Sequence, residues 1–113
     1  MNRRGGADES LAAAFLERQG LKILERNYRC RFGEIDLVAA GDAVLVFVEV
    51  RARRSDDFGG AGASITAAKR RRLVATARHY LAAHRSTRAC RFDVVLVHGA
   101  ERRIEWLTNA FGE

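Results

Sequence analysis

The sequence has no long apolar run and very few cysteines. Its longest uncharged apolar stretches, such as Ala43 to Val48, are too short to span a bilayer, so we predict no membrane segment. The N-terminus reaches Asp8 and Glu9 before any apolar run, which is unlike a secretory signal. The two cysteines are too few and too irregularly placed for a disulfide framework or a CxxC metal site. We therefore expect a cytoplasmic protein whose cysteines are thiols.

Several common catalytic motifs are also missing. His79 and His84 share one predicted helix, but their spacing of five differs from the i, i+4 pair of a zinc-binding helix. The glycine-rich stretch 59–62 lacks the preceding strand and the following helical lysine of a phosphate-binding loop. No nucleophilic Ser or Cys triad is visible. These absences argue against a zinc helix, a P-loop nucleotide site and triad-type acyl transfer.

The chain is small and basic. Its 113 residues predict one domain, residues 1–113, with one packed core. The formal net charge of +6 favours a polyanionic partner, because cationic side chains neutralise phosphates and release their counterions. Nucleic acid is the leading partner, since nothing resembles a membrane-surface helix. A basic protein without such a partner remains an alternative.

Apolar periodicity predicts two helices and five strands. The likeliest hairpin joins the third and fourth predicted elements across Gly41 and Asp42. Ser64 is placed to cap the second helix, which is long and basic. The predicted order is helix Asp8–Gln19, strand Leu21–Tyr28, strand Glu34–Ala40, strand Ala43–Ala52, a loop over 53–62, helix Ile65–His84, strand Arg91–Val97 and edge strand Arg102–Leu107. The long helix supplies the crossover that makes the third and fourth strands parallel, so we predict a mixed α/β sheet flanked by helices.

Charged residues interrupt two of the apolar strands. Because side chains alternate across a strand, Glu49 and Arg51 share the face opposite Val46, Val48 and Val50. In the partner strand, Glu34 and Asp36 are predicted to share a face opposite Ile35, Leu37 and Ala39. Packing both apolar faces against one helix then makes Asp36 and Glu49 neighbours.

A carboxylate within a Val- and Phe-rich strand is costly unless it is paired or bound to a cation. Two or three such groups suit Mg²⁺ or Mn²⁺, which take oxygen ligands. A bound ion of this kind can activate water and stabilise charge during phosphodiester hydrolysis. The alternative is a structural ion pair of Arg51 with Glu49 or Asp36 at a sheet edge.

The order of motifs resembles a known superfamily. A GExD-type strand, an ExR strand and a basic helix look like the PD-(D/E)xK nucleases. Nearly the whole chain also resembles the bacterial YraN family, through the strings DESLAAAFLERQG from Asp8, NYRCRFGEIDLVA from Asn27, FVEVR from Phe47, KRRRL from Lys69 and RFDVV from Arg91. YraN-like proteins are similar to archaeal Holliday junction resolvases. The resemblance therefore implies a restriction-endonuclease-like αβββαβ core.

The resemblance also implies roles for individual residues. Glu9 matches the helix-borne acid, Asp36 matches the metal-ligand aspartate, and Glu49 with Arg51 occupies the E-x-K positions. The implied catalytic residues are thus Glu9, Asp36, Glu49 and Arg51, with the three acids as ligands of Mg²⁺ or Mn²⁺. Glu34 is an additional acid that could bind metal through water. A homodimer is a further expectation, because resolvases of this type cut two strands symmetrically.

One position departs from the superfamily pattern. Arg51 stands where lysine is usual, and its guanidinium stays protonated, so it cannot serve as a general base. It can still grip phosphate through a bidentate contact. Lys69, near the start of the second helix, is a candidate substitute for the missing lysine.

The leading hypothesis is a metal-dependent endonuclease acting on DNA, including branched or structured DNA. The alternatives are a non-catalytic nucleic-acid-binding protein that keeps the fold, and a basic protein-interaction module with an acidic partner. A solvated helix face remains an alternative for the lysine and arginine run. The predicted nucleic-acid-binding residues are Arg51, Arg53, Arg54, Lys69, Arg70, Arg71 and Arg72, and Arg3 and Arg4 could extend this surface.

Overall fold

A computed structural model describes residues 6–53 and 65–112 of the chain. These residues form two helices and five strands, in the predicted order. The elements are α1 (Gly6–Arg18), β1 (Lys22–Cys30), β2 (Gly33–Ala40), β3 (Val44–Arg53), α2 (Ala67–Ala83), β4 (Ala89–His98) and β5 (Arg103–Phe111). Within the described ranges, neither helix combines the length and the apolar character needed to cross a bilayer.

The five strands form one mixed sheet in the order β1-β2-β3-β4-β5. β2 and β3 make the predicted antiparallel hairpin, whereas β3 and β4 pair in parallel through the α2 crossover. β1 and β5 pair antiparallel with their neighbours and form the two edges. The predicted mixed α/β architecture is confirmed, and it is compatible with an αβββαβ restriction-endonuclease-like core.

The two helices cover opposite faces of this sheet. α1 packs on one face through Ala12, Ala13 and Leu16, which meet alternate residues of the central strands such as Val46 and Val48. α2 packs on the other face through a second cluster, which includes Leu73, Ala77, Tyr80 and Phe47. Leu11 is exposed although it lies four residues from Phe15, which packs on the sheet. Small alanines therefore form much of the buried side of α1 and allow the helix to approach the sheet closely.

Strict alternation fails in β2, and this corrects one sequence-based prediction. Leu37 and Ala39 belong to the cluster under α1, but Ile35 belongs to the cluster under α2. The three residues therefore do not share one face. Asp36 lies at the point where the pattern changes, just beyond the last β2–β3 register pair, Leu37 with Val48. The strands separate there, so the two-residue period no longer fixes where a side chain points.

The start of α2 also differs from the prediction. The helix begins at Ala67, and the N-cap is Thr66, whose hydroxyl accepts a hydrogen bond from the backbone N–H of Lys69 at 3.0 Å. Ser64, the predicted cap, lies outside the described residues, as does most of the predicted loop over 53–62. Ala68 and His84, both within the predicted helix range, are exposed.

A fully buried acid in β4 anchors the edge strand β5. The Asp93 carboxylate forms an ion pair with the Arg91 guanidinium at 3.0 Å. It also accepts hydrogen bonds from Trp106 Nε1 at 2.9 Å and from the backbone N–H of Asn109 at 2.8 Å. Trp106 in turn makes an edge-to-face contact with Phe15 of α1. Every contact described for Asp93 therefore serves the fold.

Candidate acidic site

Asp36 occupies the place where β2 separates from β3. Its Oδ2 accepts a hydrogen bond from the backbone N–H of Val50 at 2.8 Å. A side-chain carboxylate thus continues the strand pairing where the backbone ladder has ended, which fixes this carboxylate beside β3. The contact orients the residue that the sequence predicted as a metal ligand.

Glu49 is buried in β3 and pairs with a cation from α2. The Lys69 ammonium lies 3.4 Å from Glu49 Oε2, and the Glu49 side chain is 9% exposed. Lys69 lies in the first turn of α2, where its backbone N–H is held by the Thr66 cap. The structure therefore places Lys69, the candidate substitute lysine, directly against a predicted site carboxylate.

The electrostatics of Asp36 are strongly perturbed. Burial and the neighbouring charge of Glu49 raise the pKa of Asp36 to about 7, and Glu34 contributes in the same direction. The hydrogen bond from Val50 and the positive charge of Lys69 act in the opposite direction. An acid that is half-ionised near neutral pH lies in a site with too little positive charge for its carboxylates.

Glu9 approaches the same site from α1. Burial and the charge of Asp36 raise the pKa of Glu9, whereas a hydrogen bond with the Asn27 side chain lowers it. The first turn of α1 is held by an ion pair between Asp8 and Arg102, from the β4–β5 turn. Asn27 has a positive φ of 55° within β1. Sequence reasoning missed Asn27, although an asparagine within a strand is an unusual choice.

For the remaining predicted residues, the structure shows fewer contacts with the acidic site. Arg51 is half-buried two positions after Glu49 on β3, so the two share a face by alternation. Glu34 is paired with Arg29 at 3.3 Å. Arg53 is half-buried at the end of β3, and its carbonyl accepts a hydrogen bond from Gly99 N. Arg54, Arg3 and Arg4 lie outside the described residues.

The four basic residues 69–72 at the start of α2 lie in different environments. Lys69 contacts Glu49, whereas the Arg72 Cβ lies close to Gly33 at the start of β2. Arg70 and Arg71 line a groove on another side of the helix. Only part of the run therefore adjoins the acidic site, as expected when consecutive helix positions rotate by about 100°.

The carboxylates of Glu9, Asp36 and Glu49 are oxygen donors of the type that divalent cations prefer, but they are not grouped closely enough to form a complete metal site. Among residues 6–53 and 65–112, no three or more His, Cys, Asp or Glu side chains are grouped so that they could hold a metal ion. Burial, followed by the charge of a neighbouring carboxylate, nevertheless raises the pKa values of Asp36 and Glu9, and a bound cation would offset the second effect. Oxygen donors of this kind fit Mg²⁺ or Mn²⁺. The metal assignment stays a prediction.

Comparison with known proteins places the chain in a bacterial family. Residues 8–97 match the model described as "Uncharacterised protein family UPF0102". The chain is 61% identical to a UPF0102 protein of Nitrosomonas europaea, over 97% of this chain and 94% of that protein. It is 57% identical to one of Cupriavidus taiwanensis, over 96% and 82% of the two chains. A relative in Nitrosospira multiformis is 53% identical, over 96% and 92%. These matches confirm the predicted YraN relationship, and the chain belongs to the UPF0102 family.

Proposed function

We propose that this protein is a metal-dependent endodeoxyribonuclease. The observation that carries the proposal is a series of pairwise interactions between charged side chains of four elements. Glu9 of α1 interacts with Asp36 of β2, Asp36 interacts with Glu49 of β3, and Glu49 pairs with Lys69 of α2. Asp36 lies just beyond the last β2–β3 register pair, and its carboxylate accepts a hydrogen bond from the backbone N–H of Val50. Two carboxylates with an adjacent lysine supply the oxygen ligands and the cation that metal-dependent phosphodiester hydrolysis uses.

Asp36 and Glu49 would hold Mg²⁺ or Mn²⁺, with Glu9 assisting. When bound, such an ion supplies Lewis-acid stabilisation of phosphate charge and an activated water. The hydrogen bond from Val50 orients the Asp36 carboxylate toward this role. Burial and the charge of Asp36 raise the pKa of Glu9, and a cation bound nearby would favour its carboxylate form.

The cations would position the substrate. The Lys69 ammonium, next to Glu49, would contact a phosphate oxygen and stabilise negative charge that develops during cleavage. Arg51, on the same face of β3, would grip a neighbouring phosphate with two N–H donors. Because the Lys69 ammonium lies against the Glu49 carboxylate, the role of the usual superfamily lysine would pass to Lys69.

A second candidate function is supported by the same ion pair. Lys69 already compensates the buried Glu49 without a metal, so the fold could be retained in a protein that binds DNA and does not cut it. The two functions share the fold and the basic surface. They differ in whether a divalent cation enters the site.

Cleavage assays with matched variants test the proposal. We expect the purified protein to cut linear, nicked or branched DNA only when Mg²⁺ or Mn²⁺ is present, and Glu49→Gln to bind the same DNA without cutting it. Glu17→Gln, an equally conservative change at an exposed position of α1, serves as control and should cut normally. Equal residual cleavage by wild type and Glu49→Gln, purified identically, would identify a contaminant and leave the binding function.

A further inference from the structure

A second cationic feature lies on α2, away from the acidic site. A groove of about 340 Å³ runs between the helix and the end of β5. Three arginines and no acidic residue are among its lining residues, all of which belong to the described part of the chain. They are Arg70, Arg71, Val74, Ala75, Arg78 and Gly112. We call this feature the arginine groove.

α2 contains no acidic residue that could pair with these arginines. Its seventeen residues, AAKRRRLVATARHYLAA, contain no Asp or Glu, so i, i+4 ion pairs along α2 are impossible. Val74 and Ala75 provide an apolar floor between the guanidinium groups. When a cleft carries charges of one sign and has a wall of low dielectric constant, the electrostatic field of those charges is focused into the cleft. The arginine groove is therefore suited to an anion.

One of the three arginines is held in place. Arg70 Nε donates a hydrogen bond to the Ile65 carbonyl at 3.2 Å, and the Arg70 guanidinium lies 5.8 Å from the centre of the Phe111 ring. This bond uses one of the five N–H donors of the group. An arginine fixed in this way loses less conformational entropy when it binds an anion.

The size and position of the groove favour an extended ligand. Arg71 and Arg78 are seven residues apart, which is about 10 Å along a helix, more than one phosphate ion can bridge. Lys69, by contrast, is directed at Glu49 on another side of α2. A strand bound at the acidic site therefore does not fill the arginine groove by the same contacts.

We propose that the arginine groove binds a second stretch of nucleic-acid phosphodiester backbone, apart from the stretch held at the acidic site. The identity of the polyanion rests on the proposed function, whereas the groove and its charges do not. Two backbone-binding surfaces on different sides of one helix fit a substrate that is bent or branched.

Salt-dependent binding measurements in EDTA test the groove without cleavage. We expect the double variant Arg71→Gln/Arg78→Gln to reduce the slope of log affinity against log salt by about 2, since each phosphate contact contributes about 0.9. Fluorescence anisotropy with a labelled duplex and a labelled four-way junction provides the affinities. The matched control, Arg18→Gln/Arg85→Gln, removes the same charge from exposed positions outside the groove and should retain the wild-type slope.

Equal slopes for the groove variant and its control would overturn the proposal, because net charge alone would then explain the affinity. If the double variant melts at a lower temperature than wild type, Arg71→Glu replaces it, and this single exposed change should still reduce the slope. If inorganic phosphate binds the arginine groove saturably at matched ionic strength and displaces DNA, the groove is a small-anion site instead. A reduced slope here, together with no cleavage when Mg²⁺ or Mn²⁺ is added in the separate cleavage assay, would refute the nuclease function and keep the groove.

Discussion

The carboxylate of Asp36 should destabilise the fold at neutral and higher pH. Its pKa is raised from 3.8 in the unfolded chain to about 7 in the folded protein. Below the unfolded value, both states are protonated and the fold bears no cost. Between the two values, the unfolded chain loses its proton and the folded protein keeps it, so stability falls as pH rises. The full cost, about 4 kcal/mol at most, is reached above the folded pKa.

Asp36→Asn should remove this cost while keeping an oxygen that accepts the Val50 N–H. We expect the variant to be several kcal/mol more stable than wild type at about pH 8, and the difference to shrink toward zero near pH 4. Urea unfolding of both proteins at a series of pH values measures it. Asp42→Asn, in the exposed β2–β3 turn, is the matched control and should show no such pH-dependent gain.

The same variant tests the metal. A cation bound by Asp36 should stabilise wild type at about pH 8, by about 2.7 kcal/mol at a hundredfold excess over its dissociation constant. Asp36→Asn should lose most of that gain. Wild type that is less stable than Asp36→Asn at high pH but indifferent to Mg²⁺ and Mn²⁺ would keep the electrostatic argument and refute the metal site. A variant that is less stable than wild type at high pH would refute the electrostatic argument itself.

The remaining predictions concern four single residues. Gly33→Ala should lower the free energy of unfolding, measured in urea, by about 1–3 kcal/mol. The φ of Gly33 is +150°, and an added Cβ would lie 3.2 Å from Thr76 Oγ1. An unchanged unfolding midpoint would contradict this prediction. Asp93→Ala should cost about 3–5 kcal/mol by the same measurement, since it leaves the buried donors of β5 unpaired, and a loss below 1 kcal/mol would show that β5 does not depend on it. Lys69→Ala should reduce metal-dependent cleavage about a hundredfold or more, and Arg51→Ala should weaken substrate binding; full activity of the lysine variant would remove Lys69 from the site.

The site could be predicted from the sequence only in part. An acid within an apolar strand marks Glu49, but the same pattern marks Asp93, which the structure shows to be a structural anchor of β5. The two differ only in their partners. Asp93 meets an arginine of its own strand, an indole N–H and a backbone N–H, whereas Glu49 meets Lys69 beside another carboxylate. The periodicity of the sequence does not reveal which residues, distant in the chain, will contact an acid within a strand.

Local rules determined most of the fold. Apolar periodicity and turn residues predicted both helices, all five strands, the β2–β3 hairpin and the parallel crossover through α2, because these depend on neighbours close in sequence. Tertiary structure alone decided the break in alternation at Asp36 and the pairing of Lys69 with Glu49. Each of these depends on how far two elements separate or approach, and that distance is set by packing between residues remote in the chain.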